Sequence, residues 1–219
     1  MATIEQTTEI GAPAHRGASP GHDPHATATG VPNTKLAMWI FLASDCLFFG
    51  AFIATYLLYR GRDKVGPGPK ELFDIPFTSA TSFILLMSSL TMVLALAAIQ
   101  RGDERRLRIW LLATALLGAT FIAGQVFEFT EFNHEGLNLN TNLFGSTFFI
   151  LTGFHGAHVT AGIIWLMSLW GMASQGRLKQ GDSEKVEIAG LYWHFVDVVW
   201  IVIFTVIYLV PQPAAPGGG

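Results

Sequence analysis

The chain has 219 residues, of which 51% are hydrophobic and 13% charged, with a formal net charge of −3 and a mean hydropathy of +0.43. Soluble domains carry about 25% charged residues, so this composition belongs to a bilayer, and a small negative charge excludes a nucleic-acid binder. The lone cysteine, Cys46, excludes an internal disulfide and any multi-cysteine zinc or iron–sulfur site.

Residues 1–34 are rich in Ala, Thr, Gly, Pro and His and are expected to be a disordered tail. His15, His22 and His25 within it could chelate a metal weakly, but ordinary tail composition accounts for them better. No charged n-region followed by an apolar h-region is present, so the first span is expected to persist in the mature protein. Neither end carries a lipidation signal.

A spanning helix needs about 20 mostly apolar residues. Within residues 35–210 five stretches qualify: Leu36–Tyr59, Phe77–Ile99, Leu107–Phe129, Phe144–Gly171 and Gly190–Val210. The connectors are polar or rich in turn residues, as in Gly66-Pro67-Gly68-Pro69, and residues 211–219 form a flexible Pro/Gly-rich tail. No stretch alternates as barrel strands do. The expected fold is all-α, a polytopic membrane bundle of five transmembrane helices.

Lysine and arginine set the orientation. A cytoplasmic N-terminus places Arg16, Lys35, Arg101, Arg105, Arg106, Arg108, Arg177, Lys179 and Lys185 inside and only Arg60, Arg62, Lys64 and Lys70 outside. The N-terminus is therefore expected in the cytoplasm, with the first connector dissenting. No repeat of 20–50 residues occurs, and five spans do not divide into the equal halves of an inverted-repeat transporter.

Polar residues at depth are where function is sought, because ionisable groups in hydrocarbon persist mainly when they face protein or are used. Gln125 with Glu128, His155 with His158, and His194 with Asp197 each stand at i, i+3 and share a helix face. With a rise of ~1.5 Å per residue, Asp45 and Asp197 fall roughly 4–5 Å inward of the midplane, His158 near the middle and His194 about 9 Å inward. Glu128 comes out about 24 Å from His194 along the normal. That separation weakens a shared metal or haem site, although a smaller one from His155, His158 and a carboxylate stays open. The bland alternative is hydrogen bonding between helices. Asp45 is either a proton-exchanging or lipid-contacting carboxyl or one that only fixes packing. A proton-relay transporter using Asp45 and Asp197 is a further alternative.

Trp39, Tyr56, Tyr59, Trp110, Tyr192 and Tyr208 lie near span ends, where an interfacial belt is expected. Gly153, Gly156, Ala157, Ala161 and Gly162 should let a neighbouring helix approach the fourth span. No phosphate loop, nucleophile–base motif or cysteine ligand set is present. Alone, the chain does not read as an enzyme.

Four segments in order resemble subunit III of haem–copper terminal oxidases, of the cytochrome c oxidase type. Trp39-Ile40-Phe41-Leu42-Ala43-Ser44-Asp45 followed by Phe48-Phe49 is similar to the family's Trp-x-Phe-x-x-Ser-Glu segment, and Gln125-Val126-Phe127-Glu128-Phe129 to its Gln-x-x-Glu-aromatic segment. Gly145-Ser146-Thr147-Phe148-Phe149 with Gly153-Phe154-His155-Gly156-Ala157-His158-Val159 resembles the longest signature. Tyr192-Trp193-His194-Phe195-Val196-Asp197-Val198-Val199-Trp200 resembles the last helix.

The resemblance implies a non-catalytic subunit in the bacterial cytoplasmic (inner) membrane that packs on catalytic subunit I, in one complex with subunit II. It implies no haem or copper in this chain, those cofactors belonging to partner subunits, and a bound phospholipid. It further implies support of proton uptake in a complex that pumps protons and reduces dioxygen to water with electrons from cytochrome c. Asp45, Glu128, His155, His158, His194 and Asp197 are then the candidate lipid-binding or proton-uptake residues. Two departures stand out. Asp45 replaces the family's usual Glu, and five helices replace the seven of the fuller form. Subunit III of a quinol oxidase or of a nitric-oxide-reductase-associated complex has the same five-helix plan and is the alternative.

Overall fold

The five apolar runs become five long helices in the computed structural model, which describes residues 32–59, 75–134 and 143–210. The terminal tails with His15, His22 and His25, and the first connector with Arg60, Arg62, Lys64 and Lys70, lie outside the described residues. Helix α1 is Asn33–Tyr59, α2 Ile75–Gln100, α3 Glu104–His134 and α4 Leu143–Ser174. A 3₁₀ turn at Gln180–Asp182 leads into α5, Ser183–Phe204, which ends in a π-helical turn at Thr205–Leu209. All five are long and apolar enough to cross a membrane. The protein is a multi-pass membrane protein, all-helical across its described residues.

Each helix runs past its apolar stretch at one end or both. Asn33 and Thr34 are already helical, and α3 takes in Glu104 to Arg106 at one end and Thr130 to His134 at the other. Polar residues there are solvated, so the backbone ladder continues until a cap ends it. The ends of α2 and α4 show how. Gly102 (φ 73°) and Gly176 (φ 67°) adopt the left-handed conformation that glycine takes without strain. Asp103 N–H bonds to Ala98 O at 3.0 Å and Gly102 N–H to Ile99 O at 3.0 Å, and Arg177 and Gly176 repeat the pattern on Met172 and Ala173. Both are Schellman ends. Asp103 then caps α3 by accepting from the Arg106 backbone N–H at 2.9 Å, so the α2–α3 turn is only a few residues long.

Helices α2 to α5 close a ring in which α2 packs on α3, α3 on α4, α4 on α5 and α5 back on α2. Helix α1 lies outside the ring, against α4 and α5. Its buried residues are Leu42, Phe49 and Tyr56, spaced seven apart on one seam. Met38, Phe52 and Ile53 pack beside that seam, while Ile40, Leu47 and Leu58 are bare apolar surface.

The ring is keyed by α5. Trp193, 1% exposed, donates its indole N–H to Ser88 Oγ of α2 at 2.8 Å. One turn-pair along, Trp200 donates to Ser82 Oγ at 2.8 Å. As the α2 number rises the α5 number falls, so the two helices are antiparallel. The Trp193 ring enters a slot that only glycine leaves open: a Cβ at Gly118 would lie 2.6 Å from it and one at Gly162 2.8 Å. Between α2 and α3 the hydroxyls of Thr91 and Thr114 meet at 2.8 Å. In hydrocarbon such bonds contribute about 0.6 kcal/mol each, up to about 1.7, and they fix register where apolar packing alone would slide.

Candidate functional site

The polar residues expected to matter fall into three separate groups, one on each of three helix junctions. The first lies between α1 and α4. Asp45 Oδ2 stands 3.6 Å from His158 Nε2, an ion-pair distance, with both side chains mostly buried. His158 Nδ1 is 2.8 Å from the Phe154 carbonyl. A carbonyl only accepts, so Nδ1 carries a proton. Nε2 is left as the ring nitrogen that faces Asp45. Asp45 Oδ2 has no hydrogen-bond partner among the described residues, so its neighbour in the gap between α1 and α4 is the imidazole edge of His158.

The aromatics of the first and third sequence signatures build the walls. Phe48, Phe52 and Phe154 pack at centroid distances of 4.7 to 5.4 Å, and Phe49 lies 5.0 Å from the His158 ring. The i, i+3 spacing turns His155 the same way, so Phe49 touches it as well, at 6.3 Å. His155 differs in kind from His158. It is fully buried, stacks on Trp200 at 4.9 Å with Phe121 edge-on at 6.0 Å, and neither ring nitrogen has a hydrogen-bond partner among the described residues. It behaves as an aromatic core residue.

The second group joins α2, α3 and the end of α5. Thr78 Oγ1 donates to Glu128 Oε1 at 2.6 Å, and Tyr208 O–H donates to the same oxygen at 3.1 Å. The π-helical turn, with Val210 N–H on Thr205 O at 3.0 Å, is the local irregularity that carries Tyr208. Gln125, on the same face of α3, turns instead to α4, where its Nε2 donates to Thr152 O at 2.7 Å. Gly156 makes room for it, since a Cβ there would lie 2.8 Å from Gln125 Oε1.

The third group joins α2 and α5. Ser89 Oγ lies 3.0 Å from His194 Nδ1 and is also hydrogen-bonded to Asp197 Oδ2. Among the described residues no three His, Cys, Asp or Glu side chains gather as a metal site requires, and Glu128 and His194 have different partners on different junctions. The bland expectation, imidazoles hydrogen-bonded between helices, is met by His194 on Ser89; His155 instead only packs, and the His158 hydrogen bond stays on its own helix.

Two sequence expectations are corrected. Tyr56, Tyr192 and Tyr208 are buried, not interfacial. These rings lie on the faces their helices turn to neighbouring helices, where a hydroxyl needs a partner; Tyr192 donates to His158 O at 2.9 Å and Tyr208 to Glu128. Of the small residues on α4, Gly156 and Gly162 admit neighbours, but Gly153 meets nothing within 4 Å and Ala157 and Ala161 are exposed.

Ser82, Ser88, Ser89 and Thr78 went unread in the sequence. Their signal is the placing of hydroxyls along one face of an otherwise apolar span, a pattern that stands out only once tryptophan and carboxyl partners are set opposite them.

Over residues 15–211 the chain matches the family described as Cytochrome c oxidase subunit III. The chain belongs to the family of haem–copper oxidase subunit III. Among its relatives, cytochrome c oxidase subunit 3 of Bacillus sp. (strain PS3) is 39% identical, over 84% of this chain and 89% of the relative. Quinol oxidase subunit 3 of Bacillus subtilis (strain 168) is 41% identical, over 80% and 85%. Cytochrome bo(3) ubiquinol oxidase subunit 3 of Pseudomonas aeruginosa is 37% identical, over 86% and 90%. Family membership and five spans place this subunit III in the bacterial inner membrane, as part of an oxidase complex.

Proposed function

We propose that this chain is the non-catalytic subunit III of a proton-pumping respiratory cytochrome c oxidase, packed on subunit I in a complex that also contains subunit II. Haem and copper reside in the partner subunits, the N-terminus faces the cytoplasm, and phospholipid lies against the bare side of α1. Its task is to keep the catalytic subunit stable and proton uptake fast. The observation that carries this reading is Asp45 held 3.6 Å from His158 on the helix with the fewest buried residues. An acid kept there retains a proton partner within hydrocarbon, as expected of a used residue and not of a packing one.

In the assembled complex, Asp45→Ala is expected to leave haem content unchanged while hastening the loss of activity during turnover or slowing proton uptake. Unchanged inactivation and pumping would remove the role from Asp45.

A second reading, subunit III of a quinol oxidase, is favoured by the equally high identity to proteins named quinol oxidase subunit 3, such as that of Staphylococcus saprophyticus at 41%. Oxygen uptake by the purified complex separates the two: reduced cytochrome c as an effective donor supports the first reading, and activity with quinol alone supports the second.

A further inference from the structure

We propose that Asp197, Ser89 and His194 form a proton relay that connects the buried carboxyl on α5 to a groove between α1 and α5. The groove has a volume of about 450 Å³ and is walled by Trp39, Leu42 and Cys46 of α1 and by Leu191, His194 and Val198 of α5. His194 is its one imidazole. The ring's Nδ1 is engaged inward by Ser89 Oγ at 3.0 Å, and Nε2 has no partner among the described residues and is not among the sealed-off polar atoms. On the inner side Asp197 is buried, its Oδ2 bonds to Ser89 Oγ, and its Oδ1 is buried without a partner. The single hydrogen-bonded route from the Asp197 carboxyl among these groups runs through Ser89.

Hydrogen-bond accounting gives the relay two states. A hydroxyl donates one hydrogen bond and accepts others. With Asp197 protonated, its O–H donates to Ser89 Oγ, the Ser89 hydrogen donates to His194 Nδ1, and Nε2 carries the ring proton at the groove. When Nε2 gives that proton to a water in the groove, the Ser89 hydrogen moves to Nδ1 and the Asp197 proton moves to Ser89. The result is an ionised Asp197 accepting from Ser89, an imidazole neutral in its other tautomer, and one proton released. Each bond reverses direction and none is lost. Ser89→Ala breaks the chain in either state.

Other titratable groups on the helices packed against α5 are otherwise engaged. Helix α2 has none within its span. On α4, His158 pairs with Asp45 of α1 and His155 stacks on Trp200. On α1, Lys35 pairs with Glu187 of α5 at 2.6 Å, well along the helix from His194, and Tyr56 and Tyr59 lie toward its other end. Cys46 alone shares the groove. The relay is thus separate from the Asp45–His158 pair, and its test does not depend on which donor feeds the complex.

The test is deuterium entry into the Asp197 carboxyl of the intact purified complex, followed by infrared spectroscopy after transfer to D₂O. The band is assigned by its loss in Asp197→Asn. Ser89→Ala is expected to slow its exchange about ten-fold, the effect of removing one hydrogen bond from the route. Cys46→Phe, an exposed position that fills the groove and leaves the three groups in place, is expected to slow it too. The proposal is overturned if Asp197→Asn removes no carboxyl band at any pH at which the complex is intact, or if exchange in Ser89→Ala or Cys46→Phe matches the parent.

Discussion

His155 and Glu128 make opposite demands on substitution although both are ionisable residues inside the membrane. His155 gives no hydrogen bond to the described structure and is held by ring contacts with Trp200, Phe121 and Phe49. An exchange to another ring breaks no hydrogen bond to the described residues and only has to fit a slightly larger ring. His155→Phe is expected to lower stability by less than about 1.5 kcal/mol, read as the temperature at which the chain leaves the purified complex; failure to assemble would show that the ring nitrogens have partners of their own. Glu128 is the reverse. Its carboxyl accepts from Thr78 and Tyr208, so Glu128→Ala removes an acceptor that two buried hydroxyls share and is expected to cost about 1–3 kcal/mol. Glu128→Gln keeps an acceptor and should cost less, and the same thermal measurement ranks the three. The sequence alone marks both residues as intramembrane polar groups. It cannot separate them, because which polar atom finds a partner depends on the neighbour opposite.

At the scale of elements, the spans were legible because a bilayer demands long apolar runs and the chain supplies five. Their ends were not. Charged residues such as Glu104 and Arg105 read as connector, yet they sit in the first turn of α3 behind the Asp103 cap. Helix pairing was hidden for a different reason: Ser82 and Ser88 are unremarkable until Trp200 and Trp193 lie across from them. The glycine pattern on α4 was read correctly in kind and only partly in place. That difference is measurable. A Cβ at Gly162 would lie 2.8 Å from a rigid indole, so Gly162→Ala is expected to destabilise by about 1–3 kcal/mol through overpacking. Gly153 faces open space, so Gly153→Ala should be close to neutral. Equal effects of the two exchanges on thermal stability would refute the Trp193 slot.

The whole molecule is a closed four-helix ring with a fifth helix laid on its outside. The ring is stitched by hydrogen bonds across α2 and α5, whereas α1 is joined along the Leu42, Phe49 and Tyr56 seam and through pairs such as Asp45–His158 and Lys35–Glu187. A subunit so arranged keeps the Ser89–His194–Asp197 and Glu128 hydrogen bonds within the ring and the Asp45–His158 pair at its joint with α1. The central claim is that this chain lives in an oxidase complex whose redox centres are held by others. The most direct measurement is to tag the chain, isolate it from native membranes in mild detergent, and record a reduced-minus-oxidised optical spectrum with the co-purifying bands. The account predicts haem bands arriving with larger subunits in a preparation that consumes oxygen. A chain that purifies alone and colourless, under conditions that keep known oxidase complexes whole, would contradict it.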